Sequence, residues 1–196
     1  ELNSKISVFD NREKEELDST IIDKIDNYGI TYYGGKNNLE NLNGFDIIFR
    51  SPSLMPYREE LKKEADRGAI ITTEIEMVLK LTPSKTIGIT GTEGKTTTTS
   101  IIYEIIKKAG YNCFLGGNIG KPIFTLVKDM TPDDVIILEM SSFQLTNMDV
   151  SPDISVVTNI FPDHLNVHSS YEEYREQKKN IFKHQSEKGI TVLNYD

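Results

Sequence analysis

Residues 87–98 read Ile87-Gly88-Ile89-Thr90-Gly91-Thr92-Glu93-Gly94-Lys95-Thr96-Thr97-Thr98. The apolar run from Thr86 to Thr90 has the character of a buried strand. It meets a glycine-rich turn, and an amphipathic helical pattern follows Lys95. A strand, a glycine turn and a helix start together make an anion site, because the curled backbone and the orphan N–H groups of the first helical turn point at the same place. Lys95 is placed to reach terminal phosphates and the Thr96 hydroxyl to ligate Mg²⁺. The common G-x-x-x-x-G-K-[ST] spacing does not fit, since Ile89 stands where the first glycine should be; the fit is to the shorter G-x-x-G-K-T. A glycine-rich turn alone is a weak signal, since a tight strand-to-helix turn accounts for a minority of such cases, and the Lys-Thr that follows further favours nucleotide binding.

The chain has 196 residues, 37% hydrophobic and 27% charged, enough for one large or two small domains with packed cores. Its net charge of −8 argues against a nucleic-acid or anionic-membrane surface, so phosphate binding has to be local. The single cysteine, Cys113, excludes an internal disulfide and a cysteine-rich zinc site, and cytoplasmic residence is the simplest reading. No run approaches membrane-spanning length and no signal peptide opens the chain. A strand-like run stands at each end, and we expect a piece of a longer protein.

Outward from the loop, strands and helices alternate, which predicts an α/β fold with mostly parallel sheets covered on both faces. Before the loop, strands are expected at Ile6–Phe9, Ile30–Tyr33, Phe45–Phe49 and Ala69–Thr72, and helices within 13–28, at Tyr57–Arg67 and at Glu74–Leu81. Leu81-Thr82-Pro83-Ser84 is the candidate linker, giving a first domain over residues 1–82 and a second over 83–196. In the second, Ile101, Ile102, Ile105, Ile106 and Ala109 mark a helix face stopped by Gly110. Further strands are expected at Asn112–Leu115, Val135–Leu138, Ile154–Asn159 and Thr191–Asn194, and helices at Lys121–Lys128 and Tyr171–Lys188.

Ligands in parallel sheets sit beyond the carboxyl ends of the strands. Glu139 follows four apolar residues there and suits Mg²⁺ beside a phosphate chain, though an ordinary strand-end glutamate explains it equally well. Asp163-His164 follows another strand, and of the three histidines His164 is the best placed for chemistry, ahead of His168 and His184. Asp10-Asn11-Arg12 ends the first strand, where a ligand site and a solvated turn are equal readings. Lys178 and Lys179 lie in a charged helix where the solvated-face reading is strong.

Five segments in order resemble the Mur ligase family: T-G-T-E-G-K-T-T at 90–97, G-G-N-I-G at 116–120, L-E-M-S-S-F-Q-L at 138–145, N-I-F-P-D-H-L at 159–165 and Y-R-E-Q-K at 174–178. The resemblance covers nearly the whole chain. It implies an incomplete Rossmann-like N-terminal domain that binds a UDP-linked substrate, then an incomplete P-loop-type ATPase domain. The implied activity is ATP-dependent amide ligation, adding D-glutamate to UDP-N-acetylmuramoyl-L-alanine for peptidoglycan synthesis, by a monomer.

ATP would be held by Gly91, Thr92, Glu93, Gly94, Lys95, Thr96 and Thr97. Two Mg²⁺ sites would draw on Thr96, Glu139, His164 and Lys178, with Lys178 carbamylated. Lys95, His164 and Lys178 form the implied catalytic set. Asn118, Ser141 and Gln144 would contact the muramoyl-alanine part of the substrate, and Asp10, Arg12, Ser51 and Ser53 its uridine diphosphate end. Glu93 and Asn166 depart from the family's usual residues. The alternatives are a nucleotide-binding module without ligase activity and a related ligase such as a folylpolyglutamate synthase. S-S-F-Q-L disfavours the latter.

Overall fold

The computed structural model describes residues 4–162 and 170–195. In the first compact unit, short apolar runs give three-residue strands. Strand β1 (Ser7–Phe9) pairs in parallel with β2 (Thr31–Tyr33), in the register Ser7 to Thr31 and Phe9 to Tyr33. The crossover between them carries helix α1 (Ser19–Asn27), capped by Asp18, whose carboxylate accepts the Thr20 N–H. The expected single helix over 13–28 is therefore split, with a separate 3₁₀ turn at Lys14–Glu16. The Phe9 ring stacks on Tyr33 at 4.7 Å and meets Phe45 edge-on at 5.5 Å.

Strand β3 (Ile47–Phe49), helix α2 (Glu59–Asp66) and strand β4 (Ile70–Thr72) follow. Strands β3 and β4 form a second two-stranded sheet. Buried Glu64 of α2 accepts the N–H groups of Gly44 and Phe45, so its carboxylate is satisfied where water cannot reach it.

The first unit comprises residues up to Ile48 and Tyr57–Ile71, and the second takes Phe49–Pro56 and everything from Thr72. The division thus falls before the Leu81–Ser84 segment. Helix α3 (Glu74–Leu81) belongs to the second unit because Ile75 and Val78 join its core. The remaining elements are β5 (Lys85–Thr90), α4 (Lys95–Lys108), β6 (Cys113–Gly117), β7 (Val135–Glu139), α5 (Ser142–Leu145), β8 (Ile154–Val157), α6 (Tyr171–Lys183) and β9 (Ile190–Leu193).

Five strands make one parallel sheet in the order β6-β7-β5-β8-β9. Strand β7 shows why an unbroken apolar run suits its interior. Ile136 and Leu138 enter one core with α3 and the buried Leu145 and Ile181. Val135 and Ile137 enter the other with Ile87, Ile89, Ile102 and Ile106.

Three further expectations change. Lys121–Lys128 is not an α-helix; a 3₁₀ turn occupies Phe124–Asp129. Helix α6 ends at Lys183 rather than Lys188, before the turn that feeds β9. On α4 the isoleucines divide: Ile102 and Ile106 pack on the sheet, while Ile101 and Ile105 are 54% and 60% exposed. Thr99 takes the buried face instead, its hydroxyl satisfied by the Lys95 carbonyl at 2.7 Å. Among the described residues no helix is long and apolar enough to cross a membrane.

At the amino ends of β5 and β8, Asp153 Oδ2 accepts both the N–H and the hydroxyl of Thr86, at 2.8 and 2.9 Å. Burial pushes the Asp153 carboxyl up, but the Thr86 hydrogen bonds and the Lys85 charge outweigh it, and its pKa lies below the ordinary 3.8. A depressed carboxyl contributes stability above its unfolded pKa and loses it as pH falls through the folded value. Asp153→Ala should cost about 1–3 kcal/mol at neutral pH, the penalty for a buried donor left unpaired. Urea unfolding of parent and variant should show that gap closing as the pH drops below 3.8.

Candidate nucleotide-binding site

The carboxyl ends of β5, β7 and β8 meet at the glycine turn. Register places Ile89 beside Glu139 on one side of β5 and beside Val156 on the other. The loop leaves β5 at Gly91, with φ at 153°, and enters α4 through Gly94 in the left-handed region at 75°. Both conformations favour glycine. A Cβ on Gly91 would also lie 1.9 Å from Thr158 Oγ1. The first helical hydrogen bond runs from the Thr98 N–H to the Gly94 carbonyl. The N–H groups of Gly94, Lys95, Thr96 and Thr97 therefore precede the helical ladder and remain as donors, at the positive end of the helix dipole.

Behind these donors lies Glu139, only 1% exposed. Its Oε2 accepts the Thr96 hydroxyl at 2.8 Å, and its Oε1 accepts the Asn118 carboxamide at 2.9 Å. Its partners among the described residues are neutral, so a buried carboxylate and an adjoining hydroxyl present hard oxygen donors without a cation. That donor set fits Mg²⁺. Asn118, expected as a substrate contact, is thus also the residue that orients Glu139. Lys95 Nζ donates to the Thr92 carbonyl at 2.7 Å, within the loop it serves.

Helix α6 brings Lys178 to the same place. The lysine is 2% exposed, and its Nζ donates to the Gly91 carbonyl at 2.8 Å and lies 4.7 Å from the centroid of the Tyr174 ring. Lys179, the neighbouring alternative, instead pairs with Glu176 at the surface. Asp163 and His164 lie outside the described residues, as does Asn166.

The remaining expected site residues separate into two groups. Ser141 and Gln144 form a capping box at the start of α5: the Ser141 hydroxyl accepts the Gln144 N–H, and the Gln144 carboxamide accepts the Ser141 N–H. Gln144 also lines a cavity of about 540 Å³ with Arg50, Ser51, Gly117 and Lys121. Ser53 is exposed, 3.3 Å from the Ser51 hydroxyl. In the first unit, Arg12 forms a forked ion pair with Asp10. The Arg12 hydrogen bonds hold the Asp10 carboxyl down at about 2.

Sequence reasoning missed four residues here. Arg50 is buried, and burial pushes its pKa down; its guanidinium donates to the carbonyls of Leu54 and Thr146, tying the Ser51 segment to the end of α5. Thr158 and Asn159 bond to Glu93 of the loop, and the Tyr174 hydroxyl lies 3.0 Å from that of Thr92. Of these last three, Asn159 and Tyr174 fall in the N-I-F-P-D-H-L and Y-R-E-Q-K segments, while Thr158 lies in neither.

A parallel sheet whose first strand ends in a phosphate turn, flanked by a buried acid, defines an α/β domain of the P-loop class. The model of the Mur ligase middle domain matches residues 89–196, and the chain belongs to the Mur ligase family. It is 47% identical over 195 residues to the UDP-N-acetylmuramoylalanine–D-glutamate ligase of Clostridium botulinum strain Hall. It is 44% identical to the enzyme of the same name from Clostridium acetobutylicum. Each match covers 100% of this chain and 42% of the relative, so the chain spans less than half the length of these relatives.

Among solved structures, a UDP-N-acetylmuramate:L-alanyl-gamma-D-glutamyl-meso-diaminopimelate ligase from Neisseria meningitides aligns with a TM-score of 0.56 at 15% identity. That alignment covers 98% of this chain and 72% of that one. The MurF ligase from Thermotoga maritima in complex with ADP aligns at 0.50 and 21% identity, covering 81% of this chain and 44% of that one. These two agree on the fold.

Gly91→Ala should be severely destabilising, since it combines a rarely adopted φ with a collision against Thr158. The expected loss is about 2–4 kcal/mol, from strain and overpacking together. Gly94→Ala, whose Cβ meets nothing within 4 Å, should cost less. Denaturant melts of the two variants provide the comparison.

Proposed function

We propose that this chain supplies the ATP- and substrate-binding part of an amide ligase that joins D-glutamate to UDP-N-acetylmuramoyl-L-alanine in peptidoglycan precursor synthesis. One observation carries the reading. Lys95, Thr96 and buried Glu139 converge at the helix start in a chain 47% identical, along its whole length, to a ligase named for that reaction.

The chemistry requires two anions to approach. The alanyl carboxylate attacks the γ-phosphorus of ATP, and ADP leaves as the acyl phosphate forms. The D-glutamate amine then attacks the acyl carbon, loses a proton and expels phosphate. The donors at Gly94–Thr97 and the Lys95 ammonium hold the phosphate chain and stabilise charge as it shifts to the leaving oxygen. Mg²⁺ at Thr96 and Glu139 would supply further neutralisation of the phosphates. A second Mg²⁺ site at His164 and a carbamylated Lys178 belong to the same proposal. A carbamate on Lys178 keeps one N–H for the Gly91 carbonyl and adds two oxygens, so this buried position is compatible with it.

Asn118, Ser141 and Gln144 are assigned to the muramoyl-alanine part of the substrate, and of these Gln144 lines the 540 Å³ cavity. Asp10, Arg12, Ser51 and Ser53 are assigned to the uridine diphosphate end. The domain roles proposed with this reading are the UDP-linked substrate for residues 1–82 and ATP for residues 83–196, with the second also carrying the substrate contacts Asn118, Ser141 and Gln144. A monomeric, cytoplasmic enzyme completes the reading.

The test compares this chain with a longer chain that spans the full length of its relatives, of which this chain covers 42%. This chain should bind ATP·Mg²⁺ with little turnover, and the longer one should release phosphate dependent on D-glutamate. Lys95→Ala and Glu139→Ala should each lower that release at least a hundredfold. Release that is indifferent to D-glutamate, or unchanged in Glu139→Ala, would overturn the assignment.

A further inference from the structure

We infer that Asn159, at the end of β8, is a positioning residue whose carboxamide selects which N–H groups of the phosphate loop are left to meet an anion. The inference rests on the nucleotide reading above and concerns a residue outside the expected site.

Asn159 brackets a single loop residue. Its Oδ1 accepts the Glu93 N–H at 2.9 Å, and its Nδ2 donates to the Glu93 carbonyl at 3.1 Å. Its own backbone carbonyl accepts the Thr92 N–H at 3.0 Å. The two side-chain bonds run in opposite senses, so only one orientation of the carboxamide satisfies both; the flipped form would set donor against donor and acceptor against acceptor. The Thr158 hydroxyl adds a third bond to Glu93, at its carbonyl, 2.6 Å away.

Two consequences follow for the loop. The Thr92 and Glu93 N–H groups are committed to Asn159, just beyond β8, so an anion is left with the donors from Gly94 onward. These bonds within the chain hold the loop in this shape, which lowers the ordering cost of binding. Glu93 makes that constraint valuable. It is an exposed acid inside a phosphate-binding turn. Freed from Asn159, its peptide could rotate and bring a carboxylate toward the phosphates, where like charges repel.

The experiment uses the chain as it stands, with Asn159→Ala and Asn159→Asp. Backbone amide hydrogen exchange is measured without nucleotide, binding of ATP·Mg²⁺ is measured by calorimetry, and thermal melts are recorded alongside. In Asn159→Ala the Glu93 amide should exchange at least tenfold faster, with β5 and β7 amides unchanged, and ATP affinity should fall about tenfold, the order expected for two hydrogen bonds. In Asn159→Asp the carboxylate still accepts the Glu93 N–H, so that amide should stay protected. ATP affinity should nevertheless fall, because the Nδ2 donor is lost and an anion is added.

A merely structural role would lower the melting temperature of both variants without this split. Unchanged exchange and affinity in Asn159→Ala would overturn the inference. If that variant does not fold, parental ATP affinity in Asn159→Asp would overturn it. If the parent chain binds no ATP, the nucleotide reading fails, and the exchange of the Glu93 amide alone decides whether Asn159 positions the loop.

Discussion

The closeness with which the loop backbone passes the end of β8 governs the rest of the site. At Gly91 there is no room for a Cβ beside the Thr158 hydroxyl, and the next two residues are bonded to Asn159. That proximity allows Lys178 to reach the Gly91 carbonyl from α6, and allows Thr92 to meet Tyr174. Moving the loop by an ångström would break contacts with both elements together. Parallel pairing of β5 with β8, and of β5 with β7, brings the three strand ends to one edge.

The electrostatics are local, as a chain of net charge −8 requires. Positive potential at the loop comes from backbone donors, the α4 dipole and Lys95, none of which needs a basic surface. Against them stands Glu139, held in the core by two neutral donors. Burying a carboxylate is costly unless it is hydrogen-bonded, and Thr96 and Asn118 meet that need while leaving oxygen donors grouped for a cation. The same residue pair thus satisfies a structural demand and prepares a metal-binding arrangement.

The boundary between the two units shows how packing overrides a linker signal. A proline and a short polar run made Leu81–Ser84 an attractive hinge. Helix α3 nevertheless joins the second unit, because Ile75 and Val78 pack in the core with Ile136 and Leu138. Residues 49–56 join it as well, tied by the buried Arg50 guanidinium to the carbonyl of Thr146, far along the chain. Neither association has a local signature.

The sequence by itself determined the α/β alternation, the short phosphate turn, the fully apolar β7 run and the five ordered motifs. Each is a local pattern in which residue type and spacing carry the physics: glycines where φ is positive, and continuous apolar residues where both faces are covered. It also placed Glu139 and Lys178 in motifs, without showing that both are buried. Tertiary structure alone decided which isoleucines of α4 face the sheet, since four at 101, 102, 105 and 106 make a stripe too wide to orient. Whereas the Ser141–Gln144 cap is a local S-x-x-Q pattern that the residues themselves carry, tertiary structure alone made Asn118 the partner of Glu139. The clamp by Thr158 and Asn159 was equally invisible, because its two halves lie some 65 residues apart in sequence. Such a hydrogen bond depends on strand order and register, which a one-dimensional pattern does not contain.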